Sequence, residues 1–210
     1  MNALTKHYFD SPIEVFTASD VAVSITGTKY ARDGLIKRAI ANGEIINIRR
    51  GLYCLSSQFQ KNPLNTYAIS HRVYGSSYVS LESALSYHGW IPEAVYGCTS
   101  SCNKPSKEFT TPLGIFSYKR IPQQILYAHV KRIVDEHRNV FLMALPQKAL
   151  VDYVYAYRRD WKTVQEAQES LRIEDEDIEN VTVNDLQGLR ENYKSKRVQR
   201  FISGWIKELS

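Results

Sequence analysis

The alternation of apolar and polar positions divides the chain into a helical and hairpin-forming beginning, a strand-rich middle and a helical end. The last segment is the most regular. Val198, Phe201, Ile202, Trp205, Ile206 and Leu209 recur at the 3.6-residue period, with Lys196, Arg197, Arg200 and Lys207 off the stripe, which predicts a helix with one core-facing side. At the other end, residues before Asp10 form an opening helix or arm that Ser11-Pro12 breaks. Thr17 is a suitable N-cap with Asp20 three residues on, and Val21, Ala22 and Ile25 supply a short apolar face. Thr26-Gly27-Thr28 forms a turn in which Gly27 takes a positive φ. A second helix over 29–42 follows, ended by Gly43. On it Ala31, Leu35, Ile36, Ala39 and Ile40 fall on one side, and Tyr30, Asp33, Gly34, Lys37 and Arg38 on the other; Arg32 projects toward the apolar side. Two short strands, 45–48 and 52–55, then flank a bend at Arg49-Arg50-Gly51.

The middle is less regular. Lys61-Asn62-Pro63 is the best linker, dividing the chain into 1–60 and 61–210. A helix is expected over 64–73, a short extended segment at Tyr78-Val79, and a helix capped by Ser80 with Leu81, Ala84, Leu85 and His88 on one face. Strands are expected over 95–101, 108–111, 115–121 and 140–144, with a turn at Pro112-Leu113-Gly114. Pro146 opens a helix reaching Tyr157, with Leu150 and Val154 inward. Residues 161–171 are helical, the acidic run from Glu174 to Glu179 is a solvated loop, and Asn184 with Gln187 caps a helix to about Tyr193. The fold class is therefore α+β: a helix-turn-helix followed by a hairpin, in the order of a winged helix-turn-helix, then a mixed α/β domain ending in helices.

Charge sharpens this picture. Between Thr28 and Lys61 stand seven basic residues (Lys29, Arg32, Lys37, Arg38, Arg49, Arg50, Lys61) and two acidic ones (Asp33, Glu44), an excess of 7 − 2 = +5, equal to the net charge of the whole chain. A phosphate backbone is attracted to that stretch and repelled by the acidic run. The expected DNA-binding surface comprises Thr28, Lys29, Tyr30, Arg32, Lys37 and Arg38, with Arg49 and Arg50 at the hairpin tip, where arginines reach phosphates or the minor groove. The N-terminal turn of such a helix is where base edges are usually read. A basic helix and hairpin can also be a solvated face, or a winged helix that binds protein, but the clustering of positive charge on these two elements favours DNA.

Candidate chemistry is sparse. No stretch approaches the roughly 20 apolar residues of a membrane span, and three cysteines (Cys54, Cys98, Cys102) make no disulfide framework, which points to a reducing cytoplasm. Glu82 and His88 are six residues apart and share no helix face well; Asp152 has no evident partner; Cys98 reads as a small core residue and Cys102 as a loop thiol. No metal or cofactor site and no enzymatic activity are expected, the alternative being a metal-dependent regulator or enzyme that uses Glu82, His88 or the cysteines.

Four segments carry a resemblance: RRGLY at 49–53, YVSLESALSYHGWIPE at 78–93, TPLGIFSY at 111–118 and ALPQKALVD at 144–152. Together they are similar to segments of the AbiEi-type antitoxin family of abortive-infection systems, in the same order, over about 16–157. The resemblance implies a winged helix that binds and represses the operon's own promoter. It also implies a second domain that counteracts a nucleotidyltransferase-type toxin without requiring a stable complex, the type IV arrangement. It carries DNA-binding roles onto the 29–42 helix, Arg49 and Arg50, and no catalytic residue. Asp33, on the exposed face, departs from the arginine-rich helix expected of the family. A stand-alone transcriptional regulator is the other reading. The two halves are expected to act separately.

Overall fold

The computed structural model describes residues 1–11 and 13–209, so Pro12, expected to break the first helix, lies outside the described residues. The chain begins with α1 (Ala3–Asp10), β1 (Val15–Thr17), α2 (Ala18–Ser24) and α3 (Lys29–Ala41), followed by the hairpin β2 (Ile45–Arg49) and β3 (Leu52–Leu55). Thr17 and Asp20 form a reciprocal capping box at the start of α2. Gly27 and Gly43 both take positive φ, at +119° and +66°, closing the turn before α3 and ending that helix. The strand β1 lacks any sequence signal; it is three residues long and pairs with β3, giving a small sheet of order β1-β3-β2.

Over this sheet Leu4, Tyr8, Phe16, Val21, Ile36, Ala39, Ile45 and Leu55 form one apolar cluster, with the rings of Tyr8 and Phe16 stacked 3.7 Å apart. On α3 the inward stripe runs Arg32, Leu35, Ile36, Ala39 rather than through Ala31 and Ile40, which are exposed. Three elements, α1, α2 and β2, contact this helix, so neighbour placement decides which side turns inward.

The hairpin has a second apolar face. The register slips between Asn47 and Arg49, leaving Ile48 as a bulge. Ile48, Leu52 and Cys54 join the larger cluster formed by the rest of the chain. Arg72 ties the two parts further, its Nη2 donating to the Val15 carbonyl at 3.0 Å and lying 3.6 Å from Asp20. The two halves expected to act separately thus share a sheet between their cores.

The larger part contains α4 (Thr66–Val73), β4 (Ser77–Val79), α5 (Leu81–Tyr87), β5 (Cys98–Cys102), β6 (Lys107–Thr111), β7 (Gly114–Arg120), β8 (Val130–Val134), β9 (Val140–Ala144), α6 (Pro146–Ala156), α7 (Val164–Leu171), α8 (Asp175–Ile178), α9 (Val183–Asn192) and α10 (Lys196–Glu208). Its six strands run in the order β6-β7-β5-β4-β9-β8. Both parallel and antiparallel pairs occur, as in a mixed α+β architecture. Neighbouring residues of β5 face opposite ways: Ser100 meets Ser70 of α4, and Ser101 meets Asp152 of α6. The sheet is therefore covered on both sides. The acidic run is not a loop but the single-turn helix α8 with Glu174 at its N-cap, and the cap of α9 is Thr182 with Asp185, not Asn184. In both places carboxylates complement the positive helix end. Among the described residues no helix is long and apolar enough to cross a membrane.

Beneath the sheet lies a fully buried ion pair. Lys148 and Asp152 stand one turn apart on α6, Nζ to Oδ1 2.8 Å, both with no exposed side-chain surface. The ammonium donates to Gln123 Oε1 (2.6 Å), to Asp152 Oδ1 and to the Tyr193 hydroxyl, using all three protons. Asp152 Oδ1 also accepts from Tyr193, while Oδ2 accepts from Tyr78 (2.7 Å), Ser80 (2.7 Å) and Ser101 (3.0 Å). Gln123 Nε2 donates to the Tyr78 hydroxyl, and Asn192 donates to Gln123 and binds the Ile125 backbone in both directions. Burial pushes Lys148 below the ordinary lysine value, opposed by the charge of Asp152. Burial, and then the same charge, holds Tyr78 and Tyr193 well above the ordinary tyrosine range, so both stay protonated donors.

Two consequences follow for stability. Lys148→Met or Asp152→Asn leaves half of a buried pair and is expected to cost about 3–5 kcal/mol in urea unfolding; a cost under about 1 kcal/mol contradicts the network. The Glu44 carboxyl is held down at about 2, by the Thr5 hydroxyl first and then by the Asn2 amide, which donates to it at 2.8 Å. A depressed carboxyl stabilises above its unfolded value and loses that stabilisation as pH falls through the folded one. The melting-temperature gap between wild type and Glu44→Gln is therefore expected to be full at neutral pH and to close between the ordinary value of 4.5 and about 2. A gap that stays constant over that range contradicts the assignment.

Candidate nucleic-acid interface

The basic stretch presents itself on α3 and the hairpin tip. Thr28 caps α3, its hydroxyl accepting from the Ala31 amide at 3.2 Å, and Thr28, Lys29 and Tyr30 are all exposed, Tyr30 at 90%. Lys29 and Asp33 pair across one turn at 3.1 Å. Such an exposed pair adds little stability, but it places Asp33 beside a cation of its own. Arg32 is half-buried, and its Nη1 donates to the Gly27 carbonyl. It clasps the turn between α2 and α3 and is turned away from the outer face.

Lys37 and Arg38 are exposed, and neither forms an ion pair among the described residues. With Tyr30, Asp33, Gly34, Ile36 and Ile40 of α3 they border a groove whose far side is Tyr53 of β3, so one carboxylate lies among its cations. A Cβ added to Gly34 meets only the Arg38 guanidinium, at 3.4 Å. Beyond the groove, Arg49 ends β2 and Arg50 begins the turn, both exposed. Gly51 takes φ +76° there, and its carbonyl accepts from the Ala18 amide at 3.2 Å, which braces the tip against the start of α2. Arg49 also reaches the Arg72 carbonyl at 3.4 Å. Of the two acids counted in this stretch, Asp33 is paired and Glu44 is buried against the N-terminus, so Lys37, Arg38, Arg49 and Arg50 carry the outward charge.

Of the candidate residues of the larger part, Asp152 lies in the buried network, and Glu82, His88 and the two cysteines do not converge. The His88 ring nitrogen lies 3.0 Å from the Ala144 carbonyl, and burial lowers its pKa. Glu82 instead approaches the Tyr157 hydroxyl, which burial and that carboxyl push up. Cys98 and Cys102 are both buried free thiols, so Cys102 is not a loop thiol; the β5 strand runs on to include it. Burial raises both, Cys98 to about 11, which keeps them as poorly nucleophilic thiols. Among the described residues no three His, Cys, Asp or Glu side chains are grouped to hold a metal ion. The association the sequence reading missed is Lys148 with Asp152; their i,i+4 spacing was the available signal, but their burial depends on strands up to 74 residues away.

Gly34→Ala separates packing from binding. It is expected to stabilise α3 by up to about 1 kcal/mol, since only a movable side-chain end lies nearby, while weakening DNA affinity by filling the groove floor. A thermal melt and a DNA titration check the two signs, and unchanged affinity contradicts close approach at Gly34.

No family model matches the sequence, and no curated protein matches it. Among solved structures, the chain is similar to the crystal structure of the RV2827C protein from Mycobacterium tuberculosis, with a TM-score of 0.54 at 12% identity, over 96% of this chain and 80% of that one. At that identity the likeness concerns the fold alone, a mixed α+β arrangement shared over nearly the whole length.

Proposed function

We propose that this chain is a cytoplasmic DNA-binding regulator of the AbiEi antitoxin type. In this reading, residues 1–60 form a winged helix-turn-helix that binds and represses the promoter of the chain's own operon, and residues 61–210 restrain a nucleotidyltransferase-like toxin without chemistry of their own. The observation that carries the DNA-binding part is the outward row of Lys37, Arg38, Arg49 and Arg50 on α3 and the hairpin tip, none of which forms an ion pair among the described residues. The order helix, strand, helix, helix, hairpin supports it, with α3 as the groove-entering helix and the β2–β3 turn as the wing.

The antitoxin part rests on the resemblance of the four segments, and their placement is informative. RRGLY forms the hairpin tip; Tyr78 and Ser80 of the second segment and Lys148 and Asp152 of the fourth meet in the buried network. Tyr118 of the third donates to the Ser70 carbonyl. In this chain, residues of these segments thus help to hold the sheet and its helices together. Removing residues 1–60 also strips Ile48, Leu52 and Cys54 from the larger core. Point variants on the outer face therefore separate the two roles more cleanly than a deletion does.

The test is titration of the chain against a duplex from upstream of its own gene over a range of salt concentrations. Arg50→Ala is expected to weaken binding and lower the log–log salt slope by about 1, and Lys37→Ala with Arg38→Ala by about 2, while protection against the co-encoded toxin is unchanged. Wild-type affinity and slope in both variants overturn the DNA-binding surface.

A further inference from the structure

A second basic feature lies far from α3 in sequence. The end of β7, the C-terminal end of α6 and the N-terminus of α10 enclose a cleft of about 590 Å³. Its lining includes Lys119, Arg120, Arg158, Lys194 and Arg197, and no acidic residue. None of these five cations forms an ion pair among the described residues. We propose that this cleft binds a compound carrying several phosphate groups.

Three observations beyond charge support the assignment. Arg197 donates through Nη2 to the Tyr155 carbonyl at 3.1 Å, which fixes the guanidinium at the cleft, yet its Nε is buried and has no partner. The thirteen-residue α10 begins at the cleft, and its N-cap Ser195 makes no side-chain cap. No acid stands in its first turn; Lys196 and Arg197 stand there instead, adding to the positive helix end rather than offsetting it. That combination of free backbone amides and cations is what phosphate oxygens satisfy. Finally, Arg158 holds φ +54° beyond the end of α6, closed by bonds from Arg158 to Tyr155 and from Arg159 to Val154. A glycine suits that position better, and the arginine there brings a fifth cation to the rim.

The size of the cleft favours a small polyphosphate over a long polymer, since it falls within the range of small-ligand pockets, about 300–1,000 Å³. Phosphates of a nucleic-acid backbone are the other source of the same chemistry. The assignment holds whether or not α3 touches DNA.

The test is calorimetric titration of inorganic tripolyphosphate into the full chain at physiological ionic strength. Saturable binding is expected, weakened about tenfold or more by Arg120→Glu with Lys194→Glu. Both positions are exposed, so the fold is retained, and Arg158→Glu offers a third exposed position with the same expectation. Lys37→Ala with Arg38→Ala is expected to change the affinity less than about twofold. Competition by a duplex of unrelated sequence in that last variant assigns the phosphates to a nucleic-acid backbone; lack of competition assigns them to a free polyphosphate, and either result supports the site. No binding by wild type, undiminished binding in the glutamate variants, or an equal loss in the Lys37 and Arg38 variant overturns it.

Discussion

The larger part of this molecule is organised around one carboxylate. Asp152 accepts from Lys148, Tyr78, Ser80, Ser101 and Tyr193, and Gln123 extends the set to the loop after β7. Those donors come from β4, the start of α5, β5, α6 and the segment joining α9 to α10. A buried charge pair is not by itself a strong source of stability, because desolvation opposes the attraction. What it provides here is uniqueness. Every proton of the ammonium and both oxygens of the carboxylate are engaged, so another docking of α6 leaves charges unpaired in the interior. The position of the sheet relative to its helices is fixed by that requirement, and apolar packing completes it.

The hairpin transmits this order to the basic face. One side of β2 and β3 packs with α1, α2 and α3, while the bulged Ile48, with Leu52 and Cys54, enters the core that the sheet defines. The tip arginines therefore project from a strand pair held on both sides, with Gly51 tied back to Ala18. A hairpin anchored in this way has little freedom to lose on binding a partner, and that lowers the cost of association. The same coupling joins the basic face to the core of the second part.

Legibility in the sequence followed the range of the forces involved. Elements set by local signals were readable: the α2 capping box, the glycine stop after α3, the hairpin and the apolar stripe of α10 from Val198 to Trp205, Leu209 lying exposed past its end. Elements set by distant partners were not. The strand β1 exists because β3 offers it an edge, and β8, whose Val130–Val134 segment carries adjacent lysine and arginine, exists because β9 does. The cap of α9 is Thr182, two residues before Asn184, because Thr182 has an acid, Asp185, at the offset that closes a capping box. Of the interface, the exposed cations were legible from charge spacing; the inward turn of Arg32 was suggested by helical projection, and its bond to Gly27 required the structure. Of the Lys148–Asp152 network only the i,i+4 spacing on α6 is legible; its other members and the cleft assemble from segments far apart in the chain.

The central claim is that α3 and the β2–β3 turn form the surface that meets DNA. Hydrogen exchange with and without a duplex from upstream of the chain's own gene tests it most directly. The account predicts slowed exchange in residues 28–38 and 49–51, with the strands of the six-stranded sheet unchanged. Bound duplex with no slowing in those two segments, or with slowing only in the larger part, contradicts it.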